Sequence, residues 1–130
     1  MLKLILIVYY FMTFGVEKTD LAENVMIEVG AVYVLQSLDG TDFPARATIT
    51  FDDAGTITGN GPCNTFNASL IAPYPWFEAG PITSTRMACP DLAAEDAYFA
   101  ALAIMNRALV SGDTLELSND AGRHMVFQAE

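Results

Sequence analysis

The sequence predicts an α+β domain: a small antiparallel, barrel-like β-sheet meander with one main α-helix packed on it. Three observations carry that expectation. Short runs rich in β-branched and aromatic residues recur between turn-forming residues, several runs alternate polar and apolar side chains, and a single alanine-rich stretch lacks internal glycine and proline. A chain of 130 residues is long enough to bury roughly two thirds of its extended surface around one core. With 52% hydrophobic and 17% charged residues, it sits on the folded side of the disorder boundary.

The first segment, 1–24, stands apart. Lys3 is followed by an apolar run through Phe14, and polar residues from Glu17 to Asn24 separate this run from the remainder of the chain. One early cation and an apolar run too short for an ordinary transmembrane helix read as a secretory signal or a membrane anchor with a linker. Cell-envelope localisation, periplasmic or membrane-tethered, is the corresponding expectation. The folded domain is assigned to 25–130.

Within that domain, strands are predicted over 31–37, 47–51, 56–58, 66–71, 76–77, 82–87, 114–117 and 124–128. The turns between them each offer a residue that tolerates positive φ, as in Asp39-Gly40, Asp53-Ala54-Gly55, Ser111-Gly112-Asp113 and Asn119-Asp120-Ala121-Gly122. Alternation in Thr48-Ile49-Thr50-Phe51 and Thr114-Leu115-Glu116-Leu117 gives a sheet with one dry and one wet face, which needs a cover. The cover is a helix predicted over 90–109, with Leu92, Phe99, Leu102, Met105, Asn106 and Leu109 toward the sheet. Asp91 with Glu95 or Asp96 near its start and Arg107 near its end suit the helix dipole.

Charge narrows the functional classes. Sixteen acidic residues face six basic ones, for a formal net charge of -10. Nucleic-acid binding requires clustered cations that release phosphate counterions, and Arg46, Arg86, Arg107 and Arg123 are isolated along the domain. No nucleic-acid partner is expected, and no cofactor.

Two segments stand out: Gly59-Asn60-Gly61-Pro62-Cys63-Asn64-Thr65-Phe66 and Thr83-Ser84-Thr85-Arg86-Met87-Ala88-Cys89-Pro90, the second just ahead of the helix. Cys63 and Cys89 are the only cysteines; in an oxidising compartment such a pair reads first as a disulfide, the alternative being two buried thiols that act as small apolar groups. They lack the close Cys-x-x-Cys spacing of a thiol redox enzyme, and with His124 they form no recognisable zinc pattern, so no metal is expected. His124 is the sole histidine, and no Gly-x-Ser-x-Gly elbow accompanies it, so a non-enzymatic role with no catalytic residues is expected.

In these two segments the chain resembles the META domain family, which includes the bacterial heat-shock protein HslJ. The shared features are a glycine-rich turn running into Cys63-Asn64, then Thr85-Arg86-Met87-Ala88-Cys89, then a helix and closing strands, over about 30–127. Pro62 stands where the family usually has glycine, Ala68 and Leu70 where it has Gly and Tyr, and Tyr33 where it has an early Trp. The resemblance implies a small antiparallel barrel-like sheet with one helix, envelope association and a link to stress tolerance, and it carries no catalytic activity.

The remaining site candidates are contacts. Asn64 is expected to fix its own turn through the neighbouring backbone, with ligand contact as the sharper alternative. Arg86, a cation in an acidic domain, is expected to pair with a carboxylate or to meet an anionic ligand. Ala72-Pro73-Tyr74-Pro75-Trp76-Phe77 places three aromatics among prolines that favour extended backbone, making Tyr74, Trp76 and Phe77 the leading contact surface. The expected partner is an unidentified protein or a small apolar ligand, taken up by a monomer; the competing expectation is an acidic inhibitor-like protein seated on a basic enzyme.

Overall fold

The computed structural model describes residues 27–130, so the apolar start and linker over 1–24 lie outside the described residues. Within the described residues, nine strands and one helix occur in the order β1 Val32–Leu38, β2 Thr41–Asp42, β3 Thr48–Phe51, β4 Thr56–Asn60, β5 Thr65–Ser69, β6 Thr83–Ser84, α1 Leu92–Ile104, β7 Arg107–Ser111, β8 Thr114–Ser118 and β9 His124–Ala129. Every pairing among these strands is antiparallel. The sheet runs β6-β5-β4-β3-β1-β9-β8-β7, with β2 hairpinned onto β1. The chain therefore builds one half of the sheet before α1 and the other half after it, and β1 joins the halves through β3 and β9.

The two outer strands are not joined by a regular ladder. Instead the connection between β5 and β6 spans the interval between them. On one side, Ile71 N–H donates to Glu78 O and Gly80 N–H to Ser69 O; on the other, Phe77 N–H donates to Asn106 O and Ala108 N–H to Pro75 O. This irregular bridge carries Phe77 into the core, where it is 1% exposed.

The sequence-predicted strands appear with boundaries shifted by at most two residues, with three exceptions. Residues 76–77 form a single bridge, Trp76 opposite Arg107, and no strand; the ladder over 82–87 shrinks to Thr83–Ser84; and Thr41–Asp42 forms a short strand without a sequence signal. The helix is shorter than its apolar pattern suggests: it occupies Leu92–Ile104 and ends at Met105, whose ψ of 144° is extended. Residues Arg107–Ser111 form β7 and pair with β8 along their whole length. Arg107 therefore does not sit at a helix end; it opens a strand and pairs with Asp120.

This redistribution changes which helix face is buried. Glu95, Tyr98, Ala101 and Leu102 face the core, Met105 joins them, and Leu92 and Leu109 lie exposed. Tyr98 is the pivot of the packing. Its ring meets Phe66 edge-on with centroids 5.7 Å apart and lies 6.4 Å from Phe127, and its hydroxyl donates to Thr48 O at 2.9 Å. Burial raises the phenol pKa well above its ordinary value. The helix thus shares one core with Ile49, Ile57, Leu115, Leu117 and Phe127 of the sheet, all fully buried.

Leu102 is fully buried whereas Phe99 is only partly so. Leu102→Ala should lower the unfolding free energy by about 2–5 kcal/mol; Phe99→Ala should cost less, because part of its ring already meets water. Chemical denaturation of both variants checks the ordering, and a larger loss at Phe99 would mean the buried face is misassigned.

Candidate functional site

The two cysteine segments meet at the start of α1, and a carboxylate holds them together. Glu95, in the first turn of α1, is 2% exposed. Its Oε1 accepts the backbone N–H of Cys63 at 3.0 Å and of Asn64 at 2.6 Å, and its Oε2 accepts the Asn64 side-chain Nδ2 at 2.6 Å. Three donors and the positive end of the helix dipole offset the cost of burying the charge. The approach is close: a Cβ on Gly61 would lie 2.5 Å from Glu95 Oε1, so glycine is required there. The turn itself closes with Gly61 N–H donating to Asn64 O at 2.7 Å.

Asn64 is 4% exposed and passes this restraint onward. Its Oδ1 accepts Met87 N–H at 2.7 Å and the Thr85 hydroxyl at 2.9 Å, while Nδ2 donates to Met87 O at 3.0 Å as well as to Glu95. All four hydrogen-bonding positions of the amide are filled, and only this orientation of the amide fills them. The expectation of a bond to its own neighbouring backbone is therefore corrected: the amide reaches across to a segment twenty residues and more away and binds it as another strand would. Because it is buried and saturated, Asn64 supports a surface and does not itself offer one.

Cys63 and Cys89 are joined as a disulfide, with Cα atoms 5.7 Å apart, and close a loop of 26 residues. In the chain-entropy account such a loop stabilises by about 3–4 kcal/mol. The bond, the amide clasp and the ladder from β5 fix the segment from Thr83 to Cys89 against the rest of the barrel.

Between that segment and α1 lies an open groove of about 560 Å³, lined by Ile82, Ser84, Arg86, Met87, Leu92 and Phe99 among others. A second hollow of about 540 Å³ continues along α1 past Ile82, Ser84 and Phe99 toward Glu78 and Ala103. Met87 at 64% and Leu92 at 39% exposure are apolar groups left in water at its rim. Arg86 is exposed beside them. Arg46 pairs with Glu130, Arg123 with Asp39 and Arg107 with Asp120; among the described residues Arg86 has no such partner, contrary to the expected pairing.

The aromatic segment divides. Trp76 is 58% exposed and stands opposite Arg107, with Leu109 also exposed on β7. Tyr74 is half-buried and its hydroxyl accepts Val110 N–H at 3.2 Å. Phe77 is 1% exposed and meets Phe51 in the core, so it is removed from the proposed contact surface. The backbone is also not extended, since Trp76 N–H folds back onto Pro73 O at 2.9 Å. Tyr74 and Trp76 do not line the groove beside Arg86.

His124 opens β9. Its backbone N–H donates to Asp39, and its ring Nδ1 lies 3.5 Å from Gly122 O. Among the described residues no three His, Cys, Asp or Glu side chains gather as a metal site, and no helix is long and apolar enough to cross a membrane.

Comparison with known proteins places this arrangement in a family. The META domain matches residues 26–130. The chain belongs to the META domain family. Among solved structures, an NMR structure of a protein from Burkholderia xenovorans is similar at 26% identity and a TM-score of 0.63, covering 78% of this chain and 83% of that one. A second NMR structure is similar in fold, at 22% identity and a TM-score of 0.58, covering 75% of this chain and 87% of the other. No curated protein matches the chain.

The residue that the sequence pattern does not single out is Glu95. Its signal is present: a carboxylate in register with Tyr98 and Leu102, on what proves to be the apolar stripe of this META domain, has to be paired or strongly hydrogen-bonded. Glu95→Gln should lower the unfolding free energy by about 1.5–3 kcal/mol, because an amide NH2 would confront N–H donors or one acceptor would be lost. Denaturant unfolding measures it, and an unchanged midpoint would contradict the role given to the carboxylate.

Proposed function

We propose that this META domain is a non-catalytic binding domain of the cell envelope, serving stress tolerance by holding a partner protein in the groove between α1 and the Thr83–Cys89 segment. The observation that carries the reading is the conjunction at one rim of an uncompensated Arg86 with exposed Met87 and Leu92, on a wall held by Glu95, Asn64 and the disulfide. Concentrated binding energy at a few rigid, partly apolar anchors is the usual pattern of a recognition surface. The groove is open along its length, which suits a protein segment better than a small apolar ligand, whose site normally encloses most of its surface.

Support for the envelope comes from the apolar sequence over 1–14 and from the cysteine pair, whose bond suits an oxidising compartment. The acidic-inhibitor reading draws on the net charge of -10, which would favour a basic partner, and Asp96 lines the groove too, but the exposed groups at its rim are Arg86 and the apolar Met87 and Leu92. Salt separates the two readings, because an association driven by exposed charge weakens as ionic strength rises.

A photo-crosslinking residue in place of Met87, compared with one in place of the exposed Glu116 on β8, tests the reading in envelope extract. A discrete adduct from position 87 that persists at high salt, with none from 116, is expected. No adduct, or equal labelling from both positions, contradicts the groove as the binding surface. An adduct lost at high salt transfers the case to the inhibitor.

A further inference from the structure

The pattern of backbone bonds along the groove wall specifies what kind of segment fits it. Thr83 and Thr85 face β5: Thr83 stands opposite Asn67 in the ladder, and Thr85 N–H donates to Thr65 O at 3.1 Å. Two residues on, Met87 bonds through both its N–H and its C=O to the Asn64 side chain. Residues 83, 85 and 87 therefore satisfy one edge of an extended strand, the last of them through an amide that takes the place of a strand neighbour. By the alternation of an antiparallel ladder, the N–H and C=O of Ser84 and Arg86 point the other way. Among the described residues no loop or turn bond reaches either residue's backbone, and in the ladder Ser84 stands opposite Phe66 between the bonded positions 83 and 85, so its groups do not point at β5.

Ser84 and Arg86 line the groove, and Ile82 and Phe99 give it an apolar floor that runs on along α1. Four unpaired backbone groups, spaced about 6.6 Å from one residue to the next but one, form a template for another extended backbone. At its end stands Arg86, the described arginine without a carboxylate partner in a chain of net charge -10. Asp96 also lines the groove but forms no ion pair with Arg86, and Glu95 is occupied by the Cys63–Asn64 turn, so the guanidinium is left to a carboxylate brought by the occupant.

We propose that the groove binds its partner by strand addition: an extended segment pairs with the free edge at Ser84 and Arg86, directs alternate apolar side chains toward Ile82 and Phe99, and presents a side-chain or C-terminal carboxylate to the Arg86 guanidinium. This rests on the binding role proposed for the groove and adds the geometry and chemistry of the occupant. An inserted helix has no use for the open backbone groups, since its own are satisfied internally. A strand uses them, and the helix α1 forms the opposite wall.

The test begins with a library of random nonapeptides bearing free carboxyl termini, selected on the immobilised full chain. Selected peptides should contain alternating apolar residues and a carboxylate, and should shift the amide resonances of Ser84 and Arg86. N-methylation of the peptide backbone, one position at a time, should weaken binding at alternate positions by about tenfold or more while the intervening positions tolerate it. Arg86→Gln should weaken the same peptides by about tenfold, and replacing the peptide carboxylate by an amide should then make little further difference. Ser84→Pro, which removes one edge donor, should abolish binding; the N-methyl series keeps the test decisive if that variant does not fold. Failure to select any peptide, indifference to N-methylation, or shifts confined to Trp76 and Leu109 would overturn strand addition. A groove adduct captured from position 87 alongside any of those results would leave the binding role standing and remove only this mode of binding.

Discussion

A single carboxylate governs the arrangement of everything near the groove. Among the described residues no cation is bonded to the buried Glu95, and the domain tolerates this because three N–H donors converge on it and the first turn of α1 supplies a favourable field. The consequence is geometric. The turn from Gly61 to Asn64 is set against the helix start, the Asn64 amide is oriented by Glu95, and that amide then bonds Thr85 and Met87 beyond the two-residue ladder of β6. The disulfide between Cys63 and Cys89 spans the same junction with a covalent link. Polar network and disulfide are complementary: the first fixes direction and register, the second limits how far the segments separate if the network opens.

The wall so built keeps a segment at the surface with one edge unpaired among the described residues. Exposed strand edges are usually shortened or covered. Here the formal strand is short, Pro81 lies just before it and Pro90 just after the segment, and α1 runs alongside without pairing. Among the described residues Arg86 is the arginine without an ion-pair partner, beside this segment in a chain of net charge -10.

Much of this architecture is legible in the sequence, and the parts that are not have identifiable causes. The hairpins are legible because Asp39-Gly40, Gly55, Gly112 and Gly122 adopt the positive φ that such turns require. The META-like cysteine segments announce the fold because glycine, cysteine and asparagine occur in the order the clasp needs. The end of the helix is not legible: Arg107 to Ser111 contains no glycine or proline, and its identity as β7 is decided by pairing with β8, a tertiary effect that local propensity does not register. Phe77 escapes local reading for a similar reason, since prolines on both sides of Tyr74 suggest an extended surface ribbon, whereas the chain turns at Pro73 and drives the ring into the barrel. Glu95 reads as a dipole partner because acidic residues are common at helix starts; its burial depends on where Gly61 and Asn64 arrive in three dimensions.

Native-state hydrogen exchange at the backbone amides of Asn64 and Met87 tests the carboxylate-and-amide clasp most directly, since neither donates to a backbone carbonyl and each depends on a side-chain acceptor. The account predicts protection comparable to that of the central strands, lost at Met87 when Asn64 is replaced by Ala and lost at Asn64 when Glu95 is replaced by Ala. Exchange at open-loop rates in the native protein, or protection of Met87 that survives the loss of the Asn64 amide, would contradict it.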